Sequence, residues 1–229
     1  MSKTVVVGDI HGKLHVVEAI LEMNLPTVFV GDILDAYDQT VSKQIRCLEL
    51  IITAVQDRGN VYCTMGNHDL QYLDSSMRCS GFSTKTKYAL MRDFRGKTLS
   101  RQMRDTFLPY VYMEGFLISH AGVSNRLLRY HNITIDEYLN DGKFNDIGYA
   151  RGGQSPVGGL HWCDWNDEFE YVSGVPQIVG HTRASRREDD IRCKGNSYCI
   201  DALDLGSRDE YYTVGEINNS SFTKRQVYI

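Results

Sequence analysis

The chain has 229 residues, a formal net charge of −4, and 42% hydrophobic and 24% charged residues. That balance is ordinary for a globular chain long enough to bury a sizeable core, and it gives no reason to expect general nucleic-acid binding. No apolar run approaches the roughly 20 residues of a bilayer span, and Met1-Ser2-Lys3 leads into a strand-like run with no leader pattern, so the expected location is the cytoplasm.

The first third alternates in period. "TVVVGD" is a short β-branched run ending in a turn, and it reads as a buried strand. "KLHVVEAILEMN" sets Leu14, Val17, Ile20 and Leu21 on one helical face. "TVFVGD" is a second strand. Val41, Ile45, Leu48, Ile52 and Val55 mark a long amphipathic helix that ends before Gly59, and "NVYCTMGN" is a third strand. This β-α-β-α-β order predicts an α/β fold that starts with a parallel sheet. The stretch from about 75 to 109 is polar and basic and is expected to form helices outside the sheet. "GFLISHAG", "PQIVGHT" and "SYCID" again read as apolar runs ending in polar loops, and "EYYTVGEI" as a closing strand. Gly148 to Gly159 is glycine-rich and reads as a mobile loop. The six cysteines (Cys47, Cys63, Cys79, Cys163, Cys193 and Cys199) form no Cys-x-x-Cys pair and read as reduced thiols.

Ligand sites of open α/β sheets lie beyond the carboxyl ends of the strands. There the chain places Asp9, His11, Asp32, Asp35, Asn67, His68, His120 and His181. Carboxylate, imidazole and amide oxygen suit borderline divalent metals such as Mn, Fe or Zn. "GDILDAYD" carries three aspartates in seven residues, a crowding that cations turn into an asset. One aspartate can bridge two ions, and two ions roughly 3.5–4 Å apart suit phosphoester hydrolysis by lowering the pKa of a water and offsetting charge. Taken singly each residue has a plainer reading. "GNHD" is a common turn, His15 an exposed helix residue, His131 and His161 structural, and Asp38 a cap for the following helix.

The ordered blocks "GDIHG", "GDILD", "GNHD", "SHAG" and "GHT" resemble the calcineurin-like metallophosphoesterases. The likeness is strongest to the phosphoprotein phosphatase branch, with its small bacterial and phage Ser/Thr phosphatases, and extends to the diadenosine tetraphosphate hydrolases. It runs from Val5 to about Gly206, and "LHWCDW" resembles the Trp-x-Asp segment of the phosphatase branch. The resemblance implies a four-layer sandwich of two mixed β-sheets flanked by helices. It implies one domain over residues 1–229, with the polar stretch as an insertion. It implies two divalent ions, with Mn2+ first among the candidates. Asp9 and His11 would hold one ion, Asp32 would bridge, and Asn67, His120 and His181 would hold the other. His68 would protonate the leaving oxygen and Asp35 would orient it.

The pattern departs from that family at two places. Ala36 stands where a phosphate-gripping arginine is expected, and Met65 where one is common. Arginine forks match phosphate oxygens bidentately, so these departures put substrate choice in question. Arg151 and then Arg183 are the candidate substitutes. Three readings stay open. The first is a phosphomonoesterase acting on phosphoproteins, located in a host cytoplasm if phage-encoded. The second is a hydrolase of dinucleoside polyphosphates or 2′,3′-cyclic phosphates. The third is a non-catalytic binding module.

Overall fold

The computed structural model describes residues 3–185, 191–201 and 211–229. β1 (Thr4–Val7), β2 (Thr27–Phe29) and β3 (Val61–Cys63) are short, apolar and parallel, as their β-branched runs predict. Between them run α1 (Leu14–Glu22) and α2 (Val41–Arg58). Helical spacing brings Val16, Val17, Ile20 and Leu21 of α1 to the core, and likewise Ile45, Leu48, Ile51 and Ile52 of α2. Gly59 closes α2 at φ 66°. The cap expected of Asp38 is made by Thr40, whose side chain accepts from the Lys43 N–H. A cap must sit directly before the first helical residue to reach that N–H, and Asp38 lies too far upstream. It stays exposed and accepts from Gln39.

β3 leads into the single-turn α3 (Asn67–Leu70), and residues 75–109 hold a 3-10 turn (Ser75–Met77), α4 (Thr84–Ala89), β4 (Asp93–Phe94), β5 (Lys97–Thr98) and α5 (Leu99–Thr106). The expected helices are thus interrupted by a hairpin. Its two-residue loop, Arg95-Gly96, takes φ of 55° and 82°, the left-handed pair that matches strand twist. α4 and α5 both contact α2.

β6 (Tyr110–Met113), β7 (Phe116–Ser119), β8 (Gln177–Val179), β9 (Arg192–Lys194) and β10 (Ser197–Cys199) form a second sheet in the order β6-β7-β8-β10-β9. Its middle strands β7, β8 and β10 are parallel. α6 (Asn125–His131) and α7 (Ile135–Asp141) cover it through Leu127, Leu128, Tyr138 and Leu139. β11 (Tyr211–Asn218) and β12 (Ser221–Tyr228) complete the first sheet, in the order β12-β11-β1-β2-β3. β11 agrees with the closing strand read from "EYYTVGEI", except that Glu210, like Gly206, lies outside the described residues. β12 went unread because it is an edge strand, largely exposed, and carries no apolar run.

The two sheets meet through Val6, Val28 and Ile217 on one side and Ile118, Ile178 and Ile200 on the other. Helices lie outside both. The result is two mixed sheets flanked by helices, the architecture that the resemblance implies. The carboxyl ends of β1, β2 and β3 come together with those of β7, β8 and β10. Gly180 N–H donates to the His120 carbonyl (2.7 Å), and His181 N–H to the Asp9 carboxylate (3.0 Å).

Candidate functional site

Each predicted metal ligand, and the His68–Asp35 pair, follows a strand end, whereas Arg151 lies in a 3-10 turn (Tyr149–Arg151). Asp9 comes after β1, Asp32 and Asp35 after β2, Asn67 and His68 after β3, His120 after β7 and His181 after β8. His11, Asp32, Asp35 and His181 all have positive φ, between 43° and 66°. Non-glycine residues rarely take that conformation, and such outliers gather at functional sites. Gly31, at φ 97°, lets the β2 loop approach the β3 loop, where a Cβ would lie 2.5 Å from the Gly66 nitrogen. The Asp69 carboxylate then ties the two loops by accepting from Ile33, Leu34 and Gly66 N–H groups.

The tautomers set which atoms face inward. His11 donates from Nδ1 to the Leu34 carbonyl (2.8 Å), which leaves Nε2 as a lone pair 3.9 Å from both Asp9 and Asp32 carboxylates. His120 donates from Nδ1 to the Val30 carbonyl (2.9 Å). Its Nε2 lone pair faces Asn67 Oδ1 at 2.9 Å, His181 Nδ1 at 3.1 Å and Asp32 at 3.4 Å. Among the described residues, His181 Nε2 is buried with no hydrogen-bond partner. Ligand atoms of Asp9, His11 and Asp32 lie within 4.8 Å of one another, as do those of Asp32, His120 and His181, so Asp32 belongs to both groups.

The electrostatics fit cations. Burial, then Asp201 and Asp32, push the Asp9 carboxyl well above its usual range. Burial pushes Asp201 up to about 6. Burial lowers His11 to about 4 and also lowers His120 and His181, so their imidazoles are neutral donors of lone pairs. Carboxylate, imidazole and amide groups crowd this buried point, with His181 Nδ1 also 2.8 Å from Asn67 Oδ1, and divalent ions turn such crowding from a cost into an asset. The donor set therefore suits divalent metal.

Beside this centre stands a second constellation. His68 Nδ1 lies 3.2 Å from Asp35 Oδ2, and Asp35 also accepts from the Gln71 amide and the Tyr72 hydroxyl. Gln44 holds the Asp35 backbone, accepting from its N–H at 2.9 Å. Burial acts against a charged His68, yet Asp32 and then Asp35 push its imidazole up to about 12. That is a histidine that keeps a proton to give.

The model of the calcineurin-like phosphoesterase family matches residues 2–187. The chain belongs to that family. The protein is thus a metal-dependent phosphoester hydrolase, as its ordered blocks imply. The fold is similar to that of the cold-active protein-tyrosine phosphatase of the psychrophile Shewanella sp., with a TM-score of 0.65 and 16% identity over 99% of this chain and 80% of that one. A point mutant of a cold-active protein tyrosine phosphatase gives a TM-score of 0.64 and 15% identity over 99% and 80% of the two chains. A further structure of such a phosphatase gives 0.63 and 15% over 98% and 78%. At these identities the likeness concerns the fold. No curated protein sequence matches the chain.

The phosphoesterase opens to solvent at a cavity of about 630 Å³ lined by Asp9, His11, Asp32, Asn67, His68 and His181. Both candidate arginines line it. Arg151 is paired with Asp164 at 2.8 Å and lies 3.3 Å from the Thr182 hydroxyl. Arg183 stands near Asp201. The glycine-rich loop read as mobile is fastened to the buried Glu168 carboxylate, which accepts from Ala150, Gly158 and Asp164 N–H groups. His131 sits apart near Asp146, His15 is exposed, and His161 is buried behind the centre, donating to the Met65 carbonyl. Sequence reading missed Gln71, Tyr72, Asp164, Asp201 and Arg78. Only Asp201, in the strand-end "SYCID", and Asp164, in "LHWCDW", stand where a motif could have pointed to them.

Proposed function

We propose that this phosphoesterase hydrolyses phosphomonoesters in the manner of a protein phosphatase, with two divalent ions, Mn2+ first among them. Asp9, His11 and Asp32 would hold one ion, and Asp32, Asn67, His120 and His181 the other. The convergence of buried lone pairs on Asp32 carries this reading. Such ions, when bound, lower the pKa of a water, orient the phosphate and offset charge in the transition state. The chain's own residues do the rest. Asp35 fixes His68 through Nδ1, leaving the Nε2 proton free for the leaving oxygen as the P–O bond breaks. Two divalent ions at this centre, together with the cavity cations Lys13, Arg78, Arg151 and Arg183, would outweigh its aspartates and favour a dianionic monoester over a singly charged diester. A cavity of about 630 Å³ accepts a phosphorylated side chain, whether of Ser, Thr or Tyr. The fold likeness to proteins described as tyrosine phosphatases is compatible with aryl phosphates as substrates.

The test is turnover by Mn-loaded protein on p-nitrophenyl phosphate and bis-p-nitrophenyl phosphate, with Asp32→Asn as the blank. The monoester is expected to react faster, and Asp32→Asn to lose at least about a hundredfold in rate. Wild-type rates in Asp32→Asn would sink the metal assignment. Faster diester hydrolysis would move the reading to nucleotides. His68→Asn should slow phenyl phosphate far more than p-nitrophenyl phosphate, whose leaving group needs little protonation.

A further inference from the structure

The two family positions that lack arginine leave a question of grip, and among the cavity arginines Arg78 has the distinctive environment. Arg151 is committed to Asp164, and Arg183 stands beside Asp201. Arg78 lines the same cavity and is exposed, and among the described residues no carboxylate pairs with it. Its guanidinium is instead held over the Phe82 ring, 4.6 Å from the centroid. An aromatic face orients a guanidinium while leaving the five N–H donors of its own plane unspent.

That aromatic contact is the end of a continuous column. Phe82 stacks on Tyr72 with centroids 5.2 Å apart and planes at 21°. The Tyr72 hydroxyl donates to Asp35, whose other oxygen faces His68 Nδ1. The backbone beside Arg78 lies against the same pair. Cys79 Sγ is 3.7 Å from His68 Nδ1, and a Cβ on Gly81 would be 3.1 Å from Asp35 Cβ. Cys79 Sγ also accepts from the Asn67 side-chain amide at 3.5 Å, so the segment that carries Arg78 is held beside the proton donor, at the rim of the same cavity.

We infer that Arg78 is a specificity-determining residue that selects substrates whose leaving group carries its own negative charge. This rests on the reading of His68 as the proton donor. With the phosphoryl group at the carboxylate and imidazole cluster, a water oxygen would bond to phosphorus as the bond to the leaving oxygen breaks; the product is inorganic phosphate, and the leaving oxygen departs with the His68 proton. Arg78 contacts a carboxylate or second phosphoryl group farther along the leaving group and takes no part in bond breaking. It replaces neither missing arginine in kind. Those would grip the transferred phosphoryl group, whereas Arg78 reads what it is attached to.

The experiment measures binding of non-hydrolysable ligands to Mn-loaded protein by calorimetry. Phenylphosphonate is compared with its 3-carboxy and 4-carboxy derivatives, in wild type, Arg78→Gln and Arg78→Lys. Wild type should bind at least one carboxy derivative about fivefold tighter than phenylphosphonate, the scale of one exposed charge pair. Arg78→Gln should bring that ratio to about one, with Arg78→Lys in between. Equal affinities in wild type, a ratio that survives Arg78→Gln, or no measurable binding of any phosphonate would overturn the inference. p-Nitrophenyl phosphate turnover in the same preparation keeps the two readings apart. A charge preference without turnover would fail the catalytic reading and leave the Arg78 contact standing.

Discussion

His161 carries no assigned chemistry, yet its surroundings make it a pH liability. It is 5% exposed, and its Nδ1–H donates to the Met65 carbonyl at 2.9 Å, which supports the backbone two residues before Asn67. Burial, with His120 adding, lowers its imidazole from 6.5 to about 4. The unfolded chain therefore takes up a proton below pH 6.5 that the folded chain refuses. The stability tied to a neutral His161 is complete above pH 6.5 and is lost as pH falls toward 4. At pH 5 the loss should be about 2 kcal/mol, less any relaxation of the site. His161→Gln keeps a donor for Met65 and has no proton to gain. Urea unfolding of chelated protein at pH 5 and 7.5 should show a smaller drop in the variant, and an equal drop would count against this account.

Asp69 matters to the elements rather than to the chemistry. It is fully buried at the start of the short turn after β3 and accepts from Ile33 and Leu34 at 3.0 and 3.2 Å across the gap to the β2 loop. Those two loops hold Asp32 and Asn67, so the carboxylate sets the register between ligands from different strands. Gly31 and Gly66 allow the approach, and Asp69 secures it. Asp69→Ala leaves three N–H groups without their acceptor and should cost about 2–4 kcal/mol in denaturant unfolding. Activity should fall with it, since Asp32 and Asn67 would no longer be held together. A cost below about 0.5 kcal/mol would mean that water replaces the carboxylate without penalty.

At the scale of the molecule, the proposed ion ligands come from both sheets. Asp9, His11, Asp32 and Asn67 lie on loops of the first, His120 and His181 on loops of the second. Metal bound there would join loops of the two sheets, and binding to the folded state alone raises stability by mass action. At a hundredfold excess over its dissociation constant one ion adds about 2.7 kcal/mol, which for this length corresponds to roughly 5–10 °C in Tm. Chelation should lower Tm by that amount and Mn2+ should restore it. In His120→Ala most of the difference should vanish, and a full shift in that variant would place the stabilising ion elsewhere.

The fold class, the parallel opening of the first sheet and the candidate ligands were legible in the sequence, because each rests on local pattern. Short continuous β-branched runs mark β1 to β3 and 3.6-residue periodicity marks α1 and α2, and polar residues directly after an apolar run fall at strand ends. The ordered blocks then named the family before any coordinate did. Edge strand β12, the β4–β5 hairpin and the Thr40 cap escaped, since solvent-facing strands and caps carry weak patterns. What only tertiary structure decided is the company each residue keeps. Gln71 and Tyr72 hold Asp35 from across a loop, Asp164 occupies Arg151, and Arg78 stands over Phe82 beside the acid pair. None of these contacts has a period or a spacing. Those to Asp35 arise where segments distant in sequence are brought together by burial of apolar surface, and the shorter-range turns of the chain set Arg78 over Phe82 and pair Arg151 with a carboxylate.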